Sequence, residues 1–166
     1  MFDIITARDF LSKLEAEYAD FKAQPASARH ALNCTITAYH LHEWVWGDWL
    51  KGDYATWRRL SVRDIKSFEE WLDRECPGFA LARNLANGAK HFNRTVSSET
   101  QRVASFGEGP YGVGPYGTPY LLIDYGTDKP ERWTTGEQLM DEIVTFWRQF
   151  FQTYRPEKVL DGNSPT

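Results

Sequence analysis

Cysteine and methionine are scarce in this chain, with two of each among 166 residues. Cys34 and Cys76 form no CxxC pair, so the short-spaced zinc and redox motifs are excluded. Both thiols are expected to be reduced, Cys34 as a buried side chain on an apolar helix. Long hydrophobic runs are missing as well. No window approaches the roughly 18 uninterrupted apolar residues that a membrane span needs. The opening MFDIITARDF lacks the basic stretch and apolar run of a secretion signal. The expectation is a cytoplasmic protein with no membrane partner.

Several catalytic signatures are also absent. There is no HExxH, no Glu-x-x-His, no GxSxG, no phosphate-binding GxxxxGKS/T, and no GxGxxG ahead of a helix. With four histidines in no paired motif, neither a metal nor a cofactor is expected. An excess of basic charge is lacking too: 19 Lys and Arg stand against 23 Asp and Glu, a net charge of −4. That argues against coating of nucleic acid through wholesale phosphate neutralisation. It leaves room for local basic sites, and two stretches qualify. Lys51–Lys66 has five basic residues against Asp53 and Asp64, and Arg83–Arg102 has Arg83, Lys90, Arg94 and Arg102 against Glu99.

What the chain has in abundance is aromatic rings: seven Trp, eight Tyr and ten Phe. Rings of this size bury large areas, so one domain of this length builds a core without disulfide or metal staples. Helical spacing predicts a first helix over Thr6–Lys22, opened by a Thr6/Asp9 capping box and striped by Phe10, Leu11, Leu14, Tyr18 and Phe21. A second, tryptophan-rich helix follows from Ser27 to Leu50. It is apolar nearly all round and therefore expected to be central. A third begins near Ser61 and ends at Cys76-Pro77-Gly78, and a fourth runs from Pro77 to about Phe92, with Asn87-Gly88 as a point where it can break. Residues 93–134 change character. Gln101–Phe106, Tyr120–Tyr125 and Arg132–Thr134 read as short strands around GEGPYGVGPYGTP. A last helix starts at Thr135, where Gln138 completes another capping box. The expected fold is mainly α: an up-and-down bundle of four to five helices with a β-hairpin inserted before the C-terminal helix. It forms a single domain over 1–155, and 156–166 are expected to be a disordered tail.

The chemistry-bearing residues concentrate on the fourth helix. At about 100° per residue, Arg83, Asn84, Asn87, Lys90 and His91 share one polar arc, opposite Leu81, Leu85, Ala89 and Phe92. Arginine holds phosphate through two nitrogens, histidine moves a proton near neutral pH, and asparagine orients. This set suits anion binding or phosphodiester cleavage without a metal, and it equally describes an ordinary solvated helix face. On the second helix, Asn33, Thr37 and His40 form a polar stripe with Trp44 beside it. His40 reads either as a buried, hydrogen-bonded histidine or as a contributor to the same arc, while His42 points about 200° away from it. In the glycine-rich segment the GPYG unit occurs twice, and Tyr111, Tyr116 and Tyr120 stand ready to stack on a base or dock on a partner unless they pack as a hairpin tip.

The segment RNLANGAKHF (Arg83–Phe92) within a helical bundle resembles the Arg-Asn…His motif of the HEPN superfamily. Many members of that family are metal-independent ribonucleases of toxin–antitoxin, CRISPR and phage-defence systems, and others only bind nucleotides or partners. The resemblance implies Arg83, Asn84 and His91 as the catalytic set, and a homodimer acting on RNA; Asn87, Lys90 and His40 are the binding candidates that the helical arcs add. The spacing departs from the family pattern. Seven residues separate Arg83 from His91, where the family has four to six, which sets the pair about 12 Å apart on a straight helix. The layout also resembles bacterial and phage proteins with a Trp-rich helix, an ANGxKHF segment and a C-terminal Trp helix, a likeness that implies no mechanism. The alternative is a non-enzymatic binding or structural module of phage type that contacts a protein partner through Tyr111 and Tyr116.

Overall fold

The computed structural model describes residues 3–90, 99–103, 108–124 and 132–155. In chain order the elements are α1 (Ala7–Ala23), α2 (Ala28–Asp48), α3 (Tyr54–Leu60), α4 (Ile65–Glu75), α5 (Gly78–Lys90), β1 (Glu99–Val103), β2 (Tyr120–Asp124), β3 (Trp133–Thr135) and α6 (Gly136–Tyr154). A single 3-10 turn, Leu50–Gly52, links α2 to α3. The fold is mainly helical, with a small antiparallel sheet placed before the last helix. Among the described residues no helix is long and apolar enough to cross a membrane.

The helix starts are chemically determined. The Thr6 hydroxyl accepts the Asp9 amide while Asp9 reaches back to the Thr6 amide, and Thr135 and Gln138 do the same for α6. Such a box satisfies two amide donors that a helix start leaves open. Ser27 caps α2 and Asp64 caps α4. The helix does not break at Asn87-Gly88, since α5 runs through both residues. Among the described residues the helices number six, α3 being the one beyond the four or five expected. The inserted hairpin is present as β1 and β2, and β3 adds the third short strand expected at Arg132–Thr134. β2 pairs with β1 (Val103 opposite Tyr120) and also with β3 (Leu122 opposite Thr135), so the chain passes directly from sheet into α6. The segment 156–166, expected as a tail, lies outside the described residues.

The core draws on α1, α2, α4, α5 and α6, with its aromatic part where α2, α4 and α6 meet. Trp147 is fully buried and its indole N–H donates to the Ala38 carbonyl at 3.1 Å. Phe68 of α4 lies against Phe150 of α6 at 5.8 Å between ring centres and against Trp71 at 6.0 Å. Trp46 of α2 stacks on Trp57 of α3 at 5.3 Å. Each aromatic pair of this kind adds about 0.5–1.5 kcal/mol beyond simple burial. Helix α5 runs antiparallel to α2: Phe79 near its start meets the Tyr39 and His42 rings, whereas Leu85 shares a cleft with Ala31, Leu32 and Thr35. This antiparallel contact decides which residues of the two helices can meet.

Candidate functional site

On α5 the expected polar arc is present in its described part. Leu81, Ala82 and Ala86 are buried, Arg83 is half-buried, and Asn84 and Asn87 are exposed. Neither asparagine side chain makes a hydrogen bond among the described residues. His91 lies outside the described residues, as does the side chain of Lys90. Arg83 is held from α4: its Nη1 donates to both oxygens of Asp73, at 2.9 and 3.2 Å. One guanidinium nitrogen therefore takes the whole carboxylate. The Nε and Nη2 edge makes no bond among the described residues, and both side chains remain about 30% exposed. Arginine's second edge is the one that matches two oxygens of a phosphate or carboxylate.

Of the histidines on α2, His30 and His42 are buried and His40 is not. Position 42 faces α4 and α5, three residues on from Tyr39, while position 40 falls on the flank towards solvent. His40 is half-exposed and pairs with Glu43 at 3.0 Å, without reaching Asn84 or Asn87. The Asn33–Thr37–His40 stripe is thus divided. Asn33 is exposed, and the buried Thr37 hydroxyl accepts Lys13 of α1 at 2.6 Å. His42 is 1% exposed. Its Nδ1 lies 2.5 Å from the Tyr39 carbonyl oxygen, and its Nε2 lies 3.0 Å from Oε1 of Glu69 on α4. The Tyr39 hydroxyl donates to that same Glu69 oxygen at 3.2 Å.

This network has an arithmetic consequence. A neutral imidazole carries one N–H, yet both ring nitrogens of His42 face oxygens. One contact goes unsatisfied until a further proton enters. Burial holds the His42 pKa below its ordinary value, with the Tyr39 carbonyl and the Glu69 and Glu43 carboxylates pulling the other way. Burial, followed by the Glu69 charge, pushes the Tyr39 phenol up, and Arg83 opposes that shift. Tyr39, His42, Glu69, Asp73 and Arg83 therefore form one electrostatic unit across α2, α4 and α5. The sequence signal for it was faint: Tyr39 and His42 share a helical face, and Glu69 interrupts the apolar edge of α4 between Phe68 and Leu72.

The remaining expected site residues lie on a different part of the molecule. Tyr111 is fully exposed and Tyr116 is 78% exposed, at the rim of a recess of about 570 Å³ in the glycine-rich loop. Tyr120 is the framework residue there, buried, with its hydroxyl donating to the Val113 carbonyl at 2.7 Å. Among the described residues no group of three or more His, Cys, Asp or Glu side chains is arranged to hold a metal ion. Both cysteines are free and buried, and burial pushes each thiol up to about 12. Comparison with protein-family models, with curated proteins and with solved structures gives no match.

Proposed function

We propose that the chain is a HEPN-type protein that binds the phosphate backbone of RNA at Arg83 and cleaves it without a metal ion. The observation that carries this reading is the half-satisfied Arg83. Asp73 fixes the guanidinium through Nη1 and leaves its Nε/Nη2 edge open on the exposed side of α5. A guanidinium oriented in advance loses little freedom on meeting a phosphate and is in place to stabilise charge that develops there. In the cleavage step His91 takes the 2′-hydroxyl proton, the 2′-oxygen attacks the adjacent phosphorus to form a 2′,3′-cyclic phosphate, and the P–O5′ bond breaks as the 5′-oxygen takes a proton from water. Arg83 neutralises the phosphorane, and Asn84 and Asn87 orient the substrate.

Arg83 and His91 stand eight positions apart, about 12 Å on a straight helix. The reading therefore assembles each site across two copies, Arg83 from one and His91 from the other. The test is cleavage of labelled RNA in EDTA by wild type, Arg83→Ala and His91→Ala. Each variant alone is expected to be inactive, and a mixture of the two to regain activity, because one site of the mixed dimer keeps both groups. Cleavage that persists in both single variants sinks the reading.

A second reading is a partner-binding module without catalysis. It is favoured by the full exposure of Tyr111 on a loop anchored by the Tyr120–Val113 bond. It predicts that Tyr111→Ala with Tyr116→Ala abolishes capture of a protein partner by a protein that is inactive on RNA.

A further inference from the structure

The structure assigns a second anionic-ligand surface to the turn between α3 and α4, away from Arg83: we propose that it binds single-stranded polynucleotide. Within residues 51–66 the chain has five basic residues against two acidic ones, a formal +3 in a protein of net −4. Both acids are committed to helix starts. Asp53 accepts the Thr56 amide at 3.0 Å and the Thr56 hydroxyl at 2.7 Å, and Asp64 accepts the Ser67 amide at 2.7 Å. These bonds hold both carboxyls below the usual carboxylate range.

The cations are not similarly committed. Lys51, Arg58, Arg59, Arg63 and Lys66 are all exposed, and none forms an ion pair among the described residues. Arg58 lies back along α3, its Nε donating to the Tyr54 carbonyl at 3.4 Å, and Arg59 sits 4.9 Å above the Tyr154 ring. Ser61 takes the left-handed conformation at φ 57°, and the Val62 amide returns to the Trp57 carbonyl at 3.0 Å, so the chain turns sharply between Arg58–Arg59 and Arg63–Lys66. Lys13, Arg83 and Arg148, by contrast, each meet a carboxylate.

Aromatic rings are set among these charges. Tyr54 is 65% exposed, and its ring rests edge-on against Trp57 at 5.0 Å. Trp57 is fixed in turn by its stack on Trp46 and by its indole N–H donating to the Leu50 carbonyl at 2.6 Å. A ring that is both exposed and buttressed is a platform for a nucleobase, and the flanking cations suit the adjacent phosphates. A duplex offers no free base face, which is why the proposal names a single strand. The Arg83 reading neither requires nor supplies this surface.

The experiment is fluorescence anisotropy with labelled oligo(U) and oligo(dT) at a series of salt concentrations, using the whole chain. For five phosphate contacts the slope of log K against log salt is about −3.5 on a single strand, at roughly 0.7 per contact. The charge-reversed Arg58→Glu/Arg63→Glu/Lys66→Glu variant is expected to lower the slope to about −1.4 and to weaken binding at least a hundredfold. Tyr54→Ala should weaken binding about tenfold with the slope unchanged, since stacking is salt-independent. All these positions are exposed, and circular dichroism checks that the variants fold. Charge reversal of an exposed cation on α1, Lys22→Glu, should leave binding unchanged, which separates this surface from the protein's overall charge. Absence of binding by wild type, or equal binding by the charge-reversed variant, overturns the proposal. So does tighter binding to phosphatidylserine-containing vesicles than to oligonucleotide, which would make the patch a lipid-headgroup surface.

Discussion

Replacing Glu69 with Ala removes the one oxygen shared by the Tyr39 hydroxyl and His42 Nε2. Neither stranded group has an easy route to water, because Tyr39 is 8% exposed and His42 1%. Each buried polar group left without a partner costs about 1–3 kcal/mol. The Tyr39 hydroxyl loses its acceptor outright, whereas His42 keeps the Tyr39 carbonyl, so the expected loss is about 1–3 kcal/mol, against the roughly 5–15 kcal/mol that holds a domain folded. Chemical unfolding followed by tryptophan fluorescence reads this directly. The same series against pH isolates His42. Its folded-state pKa lies below the unfolded value of about 6.5, so between the two values the unfolded chain binds more protons. The stabilisation is therefore present above about pH 6.5 and is lost as pH falls towards the folded value, at up to roughly 1.4 kcal/mol per pH unit. His42→Leu removes this contribution, and its stability curve should be flatter than wild type across that window. Glu69→Ala deprives the imidazolium of its counter-charge, so the acid loss should continue to lower pH than in wild type. Parallel curves for wild type and His42→Leu between about pH 7 and pH 5 would refute the reasoning.

Three further outcomes are expected. Gly114 has φ +79°, and a Cβ there would come within 2.5 Å of the Tyr120 ring; Gly114→Ala should therefore displace the Tyr120–Val113 bond and raise hydrogen exchange in the loop, with α1–α5 unaffected. Thr135→Ala removes the Oγ1 acceptor of the Gln138 amide at 3.1 Å and should lower stability by about 1 kcal/mol, measured by urea unfolding. Cys34 and Cys76 are 0% and 1% exposed, with thiols pushed up to about 12; a thiol-specific chromogenic disulfide should label neither in the native protein, and labelling should track global unfolding.

The elements most legible in the sequence were those with their own punctuation. Thr6 with Asp9, Ser27, and Thr135 with Gln138 mark three helix starts to within a residue, because a cap is a local interaction between side chain and adjacent amides. Helix α3 escaped because seven residues are too few to display periodicity; its one signal was Asp53 placed three residues before Thr56. The candidate site was legible only in part. Arg83, Asn84 and Asn87 fall on the outward face of α5, as their spacing predicts. The partner that orients Arg83 is ten positions earlier on another helix, where no local pattern points to it. The exchange of His42 for His40 has the same origin. Two histidines two positions apart on an apolar helix differ only in which neighbouring helix they meet, and tertiary packing decides that.

That packing also explains why the polar residues can act together. On α4, Phe68 and Leu72 are buried, and Trp71 packs against Phe146 and Phe150 of α6. Glu69 and Asp73 lie about 40° apart on the adjoining flank, so the aromatic contacts that fix the rotation of α4 also fix both carboxylates. Phe79 performs the same service on α5, lying 5.7 Å from Tyr39 and 5.6 Å from His42, four positions before Arg83. The tryptophan-rich α2 therefore contributes to the site mainly as a straight edge. It sets the spacing between α4 and α5, and it presents one buried histidine where a carboxylate from α4 can reach it. The exposed charges at the α3–α4 turn have no such framework on their outer side, which is the arrangement suited to a flexible polyanion, whereas Arg83, held through one nitrogen by Asp73, is suited to a single phosphate in a fixed pose.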